Sequence, residues 1–365
     1  MPHRLSAFGY YVHVPFCARR CDYCAFATWT DRSHLVDRYL DACRLDLQRA
    51  VDAGAPDATS VFFGGGTPSL VPAESLTRVL DEIALAPSAE VTVECNPDTV
   101  TRELFETYRV AGVTRISLGV QSMVPHVLEA LGRTHDVDNV ERAVDLARAV
   151  GFESFNLDII YGGAGESLDD WQRTLDAVIA LEPPHVSAYA LTVEPGTPLA
   201  DDVTRHPDDD DQADKYALAT EKLMAAGLEW YEISNWARPG HECRHNLLYW
   251  EQGEYLGVGC AAHSHRDGRR WWNVRTPERY VDAIESDLSP EAGGEELPAA
   301  ERELEGLQLL LRTTRGVPSA ALPPDEDLEG LLVERDGRLV LTLAGRLLAN
   351  EVALRLQPAA GNSTV

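Results

Sequence analysis

The sequence has almost no lysine and no surplus of positive charge. Only Lys215 and Lys222 are lysines, and 59 acidic residues outnumber 32 basic ones, which gives a net charge of −27. An acidic surface repels the phosphates of nucleic acids and of anionic membranes. We therefore expect neither to be the main partner of this chain.

Long apolar runs are also missing. No stretch approaches the roughly 20 apolar residues of a transmembrane helix, and residues 1–9 lack the apolar core of a secretory signal. These absences predict a cytoplasmic protein with no transmembrane segment.

Nor do the cysteines resemble the even, dispersed set that is typical of a disulfide framework. There are seven, and Cys17, Cys21 and Cys24 fall within a single short segment. In a long chain without a secretory signal, that pattern favours a metal site.

Short β-rich runs alternate with amphipathic stretches up to about residue 235. The predicted strands are Tyr10–Val14, Ser60–Gly64, Glu90–Cys95, Arg115–Val120, Ser154–Tyr161 and His185–Leu191. The predicted helices include His34–Ala53, Ala73–Leu85, Thr101–Ala111, Val137–Val150 and Leu168–Leu181. Such alternation predicts an α/β fold with a parallel sheet and helices outside it. Six units favour a partial (β/α)6 barrel, with its chemistry at the carboxyl ends of the strands.

The barrel is predicted to occupy residues 1–235. An extension of the barrel is predicted over residues 236–290, and a small domain over residues 291–365. Leu288–Ala300 is rich in Pro, Gly and Glu and is interpreted as a linker. A helix over Glu301–Leu311, a hairpin over Leu331–Leu343 and a last helix over Leu343–Val352 predict a winged-helix-like α+β domain. The acidic run Asp208–Asp211 is predicted to begin a helix.

The clustered cysteines follow the first predicted strand, in the segment Tyr11-Val-His-Val-Pro-Phe-Cys17-Ala-Arg-Arg-Cys21-Asp-Tyr-Cys24. Three thiolates spaced C-x3-C-x2-C in one short loop can wrap a [4Fe–4S] cluster and leave the fourth iron without a protein ligand. The amino and carboxylate groups of a substrate can chelate that open iron. An electron delivered there can then cleave a carbon–sulfur bond.

Structural zinc is the rival interpretation, since it takes four protein ligands in a closed tetrahedron. The fourth thiolate would come from elsewhere in the chain, and the candidates are Cys43, Cys95, Cys243 and Cys260. A purely apolar role for the three loop cysteines is disfavoured, because the loop is rich in arginine.

Four further motifs fall on predicted strands or at their ends. They are Gly64-Gly-Gly-Thr-Pro68, Val93-Glu-Cys-Asn-Pro97, Ser117-Leu-Gly-Val-Gln121 with Arg133 beyond it, and Asn156-Leu-Asp158 leading to Gly162. Glycines after a strand let the backbone approach a ligand closely. An aspartate inside an apolar strand lowers stability unless it has a hydrogen-bond or ion-pair partner, so such a residue is a candidate for a functional role.

Together these motifs are similar to those of the radical SAM (S-adenosylmethionine) superfamily. The likeness runs from Tyr11 to about residue 355 and is strongest for the branch of oxygen-independent coproporphyrinogen III oxidase and the HemW-type haem chaperones. The resemblance implies a [4Fe–4S] cluster on the three loop cysteines and SAM as a second cofactor. It also implies the residues that hold SAM, which are Tyr11, Tyr23, Gly65, Gly66, Thr67, Glu94, Gln121, Arg133 and Asp158.

In that family the glycine loop contacts the amino group of SAM. The arginine at the position of Arg133 offers two parallel N–H donors to the SAM carboxylate. The position of Asp158 points at the nucleoside. One departure concerns the loop after Asp158, where relatives usually have Gly-Leu-Pro-Gly and this chain has Gly162-Gly-Ala-Gly165. We expect the change to loosen that loop and to spare the aspartate.

Two features separate the members of this branch. The oxidases carry a fourth cysteine two residues after the third, where this chain has Phe26. They also have an N-terminal extension, whereas the cluster loop here begins near the start of the sequence. Both differences resemble the HemW type and predict that the chain lacks coproporphyrinogen oxidase activity.

The segment His245-Asn-Leu-Leu-Tyr-Trp250 resembles the H-N-x-x-Y-W motif of the HemW type, whose histidine is linked to haem binding. A neutral imidazole can ligate haem iron while nearby rings pack on the macrocycle. His245 is therefore the predicted haem ligand. A hydrogen-bonded histidine in an aromatic core and ligation by Cys243 are the alternatives, and His13 is predicted to orient other groups.

The resemblance thus predicts a radical SAM protein that carries haem as cargo and passes it to respiratory apoproteins. An electron donor such as a flavodoxin or ferredoxin is expected as a further partner. Two enzymatic alternatives stay open, namely coproporphyrinogen III oxidation in porphyrin biosynthesis and methylation by a radical SAM methyltransferase.

Overall fold

Parallel strands joined by helices make up the first half of the chain, in a computed structural model that describes residues 7–133 and 135–358. The strands are β1 Phe8–Val14, β2 Ala58–Gly65, β3 Leu85–Cys95, β4 Arg115–Gln121, β5 Ser154–Tyr161, β6 His185–Ala190, β7 Glu229–Glu232, β8 Asn235–Ala237, β9 Glu254–Val258, β10 His263–Arg266, β11 Arg269–Asn273, β12 Glu291–Glu296, β13 Val317–Pro318, β14 Leu332–Arg335 and β15 Arg338–Leu341. Residues 1–6 and 359–365, which belong to the first and last predicted domains, lie outside the described residues.

The helices lie between these strands and after them. They are α1 Val36–Asp52, α2 Ala73–Leu80, α3 Arg102–Val110, α4 Pro125–Ala130, α5 Val137–Val150, α6 Leu168–Ala180, α7 Asp209–Ala225, α8 Arg244–Trp250, α9 Pro277–Glu285, α10 Ala299–Leu311, α11 Leu343–Leu347 and α12 Ala349–Ala353. Within the described ranges, no helix is both long and apolar enough to cross a bilayer.

One large sheet carries most of the strands. Its order is β12-β11-β10-β9-β1-β2-β3-β4-β5-β6-β8-β7, and the strands from β9 through β6 in that order run parallel to one another. The six predicted strands are β1 to β6, so the predicted α/β fold with a partial barrel is confirmed. The structure adds β9 as a parallel neighbour of β1, and antiparallel strands continue the sheet beyond both ends of the parallel set.

The sequence explains why these elements form. The β2 residues Val61 and Phe63 are fully buried inside a run without polar alternation, as expected for a strand covered on both faces. The predicted helix α5 has the bounds expected from sequence. The Asp136 side chain caps its start, and Gly151 ends it with a left-handed φ of 89°.

The acidic run begins a helix as predicted. Asp208 caps α7 by accepting a hydrogen bond from the Asp211 backbone N–H, and the other aspartates occupy the first turn. Carboxylates there interact favourably with the positive end of the helix dipole.

Two predicted helices differ from the observed ones by more than two residues or by a break. Helix α2 ends at Leu80 and not at Leu85, because the backbone at Ala84 and Leu85 pairs with Ala58 of β2. The predicted last helix is divided into α11 and α12, because the backbone departs from helical geometry at Leu348, with φ of −112° and ψ of 26°.

The linker predicted over Leu288–Ala300 is wrong in its middle part. Glu291–Glu296 forms β12, which pairs antiparallel with β11 at the edge of the large sheet. Trp272 of β11 lies close against Gly293, so small residues in this segment serve strand packing and not chain flexibility. The division of the chain at residue 291 stays a prediction.

The C-terminal residues have their own apolar core. Leu311, Val317 and Val352 are fully buried there, and the predicted hairpin is present as β14 and β15 with its turn at Asp336 and Gly337. Both turn residues have positive φ, as a tight two-residue hairpin turn requires.

Candidate cluster and cofactor site

The three clustered cysteines lie in the loop that follows β1, at the carboxyl end of the sheet. All three are free thiols of intermediate exposure. The loop is held at both sides, since the Cys17 N–H donates to Trp29 O at 3.1 Å and the Trp29 N–H donates to Pro15 O at 2.8 Å. The chain therefore presents three thiols from one fixed loop.

The other cysteines do not belong to this loop. Cys43, Cys95, Cys243 and Cys260 are all buried. The Cys260 N–H and thiol contact the Tyr39 hydroxyl, and the Cys243 thiol contacts Glu90. The zinc interpretation therefore lacks its fourth thiolate in the loop.

The donor set fits an iron–sulfur cluster better than a single ion. Within residues 7–133 and 135–358, no three His, Cys, Asp or Glu side chains are gathered as one metal ion would require. A cubane relaxes that requirement, because each thiolate binds a different iron. Burial raises the pKa of the Cys17 and Cys24 thiols, and the positive charge of bound iron would offset that cost and favour the thiolates.

The glycine loop after β2 packs directly on the cluster loop. The Gly66 N–H donates to Val14 O and the Thr67 N–H to Phe16 O, both at 2.8 Å, and the Thr67 hydroxyl lies 3.8 Å from the Cys17 sulfur. A Cβ on Gly66 would lie 2.6 Å from Phe16 O. Glycine is thus required here for the approach of one loop to the other.

Gly65 brings the loop to the predicted carboxylate. Its φ is 108°, and a Cβ at this position would lie 2.4 Å from the His13 ring. Its N–H donates to Glu94 Oε2 at 3.1 Å. Burial, and then the charge of Asp158, raises the pKa of Glu94 to about 8, so the carboxyl group is poised to ionise when a cation arrives.

Asp158 is the second carboxyl group of this region. Its oxygens accept hydrogen bonds from the Ser117 hydroxyl at 2.7 Å and the Asn156 amide at 2.8 Å. Burial raises the pKa of Asp158, and these hydrogen bonds counteract the rise. The predicted aspartate is therefore held by a polar network and is not a lone charge in an apolar strand.

Glu94 and Asp158 line a cavity of about 210 Å³ inside the curved sheet, which we call the lumen cavity. Gly65, Tyr11 and His245 also line it. The structure thus brings five of the predicted site residues to one space.

Sequence reasoning missed most of the polar lining of the lumen cavity. The missed residues alternate along four parallel strands and share one face; they are Thr92, Arg115, Ser117, Asn156, His185 and Ser187. The signal was available, because polar side chains two residues apart in otherwise apolar strands point to the same face. Tyr189, two residues after Ser187 on β6, continues the same alternation and also lines the cavity.

Arg133 and Gln121 lie outside the lumen cavity, beside the cluster loop. Arg133 donates to Gly119 O at 2.8 Å, and its guanidinium lies 3.7 Å from the Cys21 sulfur. Gln121 ends β4 with a left-handed φ of 66°, and its amide lies close to the same Gly119. Tyr23 is partly buried beside Cys21; burial and then the Cys21 thiol raise its pKa, and Arg133 lowers it in part.

His245 lies at the opposite end of the barrel from the cysteines. Helix α8 closes the amino end of the strands, where the His245 N–H donates to Glu90 and its Nδ1 bonds the Ser60 hydroxyl at 3.0 Å. Its Nε2 bonds the Tyr249 hydroxyl at 2.8 Å, and its ring stacks on Phe62. Both ring nitrogens are therefore hydrogen-bonded, and only 1% of the residue is exposed to solvent.

A second, larger cavity of about 550 Å³ lies beside β1 and over β9 to β11, and we call it the outer cavity. Phe26 and Tyr11 line both cavities, and Phe26 is 64% exposed. His263 and His265 of β10 face the outer cavity. The residues immediately after Cys24 form one of its walls, so the cavity adjoins the cluster loop.

Comparison with known proteins places this arrangement in a family. Residues 11–178 match the model of the radical SAM superfamily. The chain is 45% identical to the heme chaperone HemW of Mycobacterium tuberculosis, over 96% of this chain and 94% of the relative. The chain belongs to the HemW family of radical SAM proteins. It is also 34% identical to HemW of Bacillus subtilis, over 94% of this chain and 97% of the relative.

The fold of the HemW-family chain also matches a solved structure. Coproporphyrinogen III oxidase (HemN) from Escherichia coli aligns with a TM-score of 0.83 at 21% identity, over 96% of this chain and 89% of that one. At that identity the match supports the fold alone. Membership of the superfamily implies SAM and a [4Fe–4S] cluster as cofactors.

Proposed function

We propose that the protein binds haem and delivers it to haemoprotein targets, using a scaffold that also holds a [4Fe–4S] cluster and SAM. This proposal rests on sequence identities of 45% and 34%, over nearly the whole chain, to HemW proteins that are named heme chaperones. The two adjoining cavities at the cluster loop supply separate spaces for a cofactor and for a cargo.

In this proposal Cys17, Cys21 and Cys24 hold the cluster. SAM is held at the carboxyl end of the strands by the residues predicted from the family, which are Tyr11, Tyr23, Gly65, Gly66, Thr67, Glu94, Gln121, Arg133 and Asp158. When bound, the cluster and SAM together supply one-electron reductive cleavage of a carbon–sulfur bond.

The chain's own groups would bind SAM through complementary charge. Glu94, held by the Gly65 N–H, would meet the ammonium group of SAM, and the positive charge would lower the pKa of the carboxyl group. Arg133, held by Gly119 O beside Cys21, would direct its remaining N–H groups at the SAM carboxylate. These contacts would orient SAM between the cluster loop and the lumen cavity.

Phe26 argues against propionate decarboxylation as the activity. In the oxidase pattern a fourth cysteine occupies this position, and here an exposed aromatic ring contributes to the walls of both cavities. A ring of this kind suits packing against a flat macrocycle.

We further propose respiratory apoproteins as recipients of the haem and a flavodoxin or ferredoxin as electron donor. We place the protein in the cytoplasm, where both kinds of partner meet it. A strongly acidic chain is expected to dock on basic surfaces of such recipients. The association rate should then fall as the salt concentration rises.

Anaerobic reconstitution followed by two assays tests the function. We expect the cluster-loaded protein to bind haemin at about one equivalent and to transfer it to a haem-free acceptor, without consuming coproporphyrinogen III. Decarboxylation of coproporphyrinogen with SAM turnover, or failure to bind haemin, would contradict the proposal.

A further inference from the structure

We propose that His263 in the outer cavity, and not His245, is the axial ligand of the haem iron. The inference rests on the proposed function and names the residue and the space that carry the cargo. An axial ligand must offer an unoccupied imidazole nitrogen at a surface that a macrocycle can reach.

His245 does not meet that requirement. Both of its ring nitrogens are hydrogen-bonded, to the hydroxyls of Ser60 and Tyr249. The residue is buried at the amino end of the strands, which we call the barrel floor. Ligation of iron would need one of these hydrogen bonds to break and α8 to leave the amino end of the strands.

His13 is unavailable for the same reason. It lines the outer cavity, but its Nδ1 bonds the Tyr11 hydroxyl at 3.1 Å and its Nε2 bonds Ala27 O at 2.8 Å. Because Ala27 belongs to the segment after the cysteines, this histidine holds the cluster loop to β1.

His263 is exposed and faces the outer cavity, and within the described residues neither of its ring nitrogens has a hydrogen-bond partner. Its ring stacks on Trp272, with centroids 5.8 Å apart and planes 30° apart, which supports one side of the imidazole and leaves its edge free. The same cavity is lined by the rings of Phe26, Tyr249 and Tyr255. An imidazole among aromatic rings is the combination that haem binding calls for.

His265 is the rival on the same face of β10. Its Nδ1–H donates to Gly253 O at 2.8 Å, which would orient Nε2 for a metal, but only 6% of the residue is exposed. A hydrogen bond of this kind also raises the basicity of the ligand and strengthens the metal bond. A carrier must release its cargo, so the accessible imidazole without that hydrogen bond fits the task better.

The outer cavity also suits the cargo in size and charge. About 550 Å³ lies within the range of roughly 300–1,000 Å³ found for cofactor sites. Arg270 lines the cavity and is the cation with which a haem propionate would pair, in exchange for its present partners Glu295 and Glu305.

The experiment is a haemin titration of the full-length, cluster-loaded protein and its variants, followed by absorbance and electron paramagnetic resonance. We expect His263→Ala to lose the signature of imidazole ligation and to weaken haemin binding by about tenfold or more. Added imidazole should restore the ligation signature in His263→Gly. His245→Ala should keep that signature, and exposed His34 supplies a control as His34→Ala.

The outcomes separate this inference from the proposed function. Wild-type protein that does not bind haemin contradicts the function itself. Wild-type binding with an unchanged signature in His263→Ala, or loss of the signature in His265→Ala or in folded His245→Ala, overturns the assignment of His263 and leaves the function standing. Circular dichroism and iron content identify any variant that has lost its fold or its cluster.

Discussion

Replacement of His245 by alanine tests whether this residue is a structural element of the barrel floor. The substitution would leave the hydroxyls of Ser60 and Tyr249 without their partner, at a cost of about 1–3 kcal/mol for each. The ring also stacks on Phe62, with centroids 5.4 Å apart, and that contact would be lost. We expect a total destabilisation of about 4 kcal/mol.

The size of the chain sets the shift in melting temperature. At an unfolding entropy of about 2.1 cal/mol/K for each of 365 residues, a loss of about 4 kcal/mol lowers Tm by about 5 °C. The assay is thermal unfolding of cluster-loaded protein without haem, at one scan rate. Exposed His34→Ala should change Tm by less than about 1 °C.

A double-mutant cycle isolates the hydrogen bond within this effect. Ser60→Ala removes one partner of His245, so the two single changes should couple by about 1 kcal/mol.

The pH dependence of the same variant gives a second signature. Burial lowers the pKa of His245 to about 3, below its unfolded value of 6.5. Only the unfolded chain then takes up this proton as the pH falls below 6.5, so the wild type loses about 2 kcal/mol between pH 7 and pH 5 through this group. The gap between wild type and His245→Ala should therefore narrow at pH 5. A variant with wild-type Tm that loses its haem ligation would refute this account of His245.

Three further predictions concern the opposite end of the barrel. Cys17→Ala should prevent cluster assembly, measured as iron bound after anaerobic reconstitution, and a variant that still holds four irons would contradict the cluster assignment. Gly65→Ala should destabilise the protein by about 2–3 kcal/mol in urea unfolding, because φ at this position is 108° and the new Cβ would clash with the His13 ring. An unchanged urea midpoint would show that the loop is free to move. Glu94→Gln should be more stable than wild type at pH 8.5, by about 4.5 kcal/mol, and similar to it at pH 4.5. The raised pKa keeps folded Glu94 mostly protonated up to about pH 8, whereas the unfolded chain ionises from about pH 4.5 upward. A pH-independent difference between the two proteins would mean that Glu94 is ionised in the fold.

Much of the fold could be predicted from periodicity. Unbroken apolar runs such as Val61-Phe62-Phe63 and capped amphipathic helices such as Val137–Val150 are local signals, and the structure has them where they were expected. The strand Glu291–Glu296 could not be predicted, since its glycines and glutamates have no strand propensity and only its pairing with β11 makes it a strand.

The site divides in the same way. Cys17, Cys21 and Cys24 are recognisable because short spacing fixes their proximity before the chain folds, and the sequence by itself was sufficient to predict the cluster motif and the family. The environment of His245 and of His263 depends on contacts between residues far apart in the chain. Ser60 lies 185 residues from His245, and no local pattern indicates that it would occupy a ring nitrogen there. Tertiary packing alone decided which histidine is sealed in the barrel floor and which one faces an open cavity.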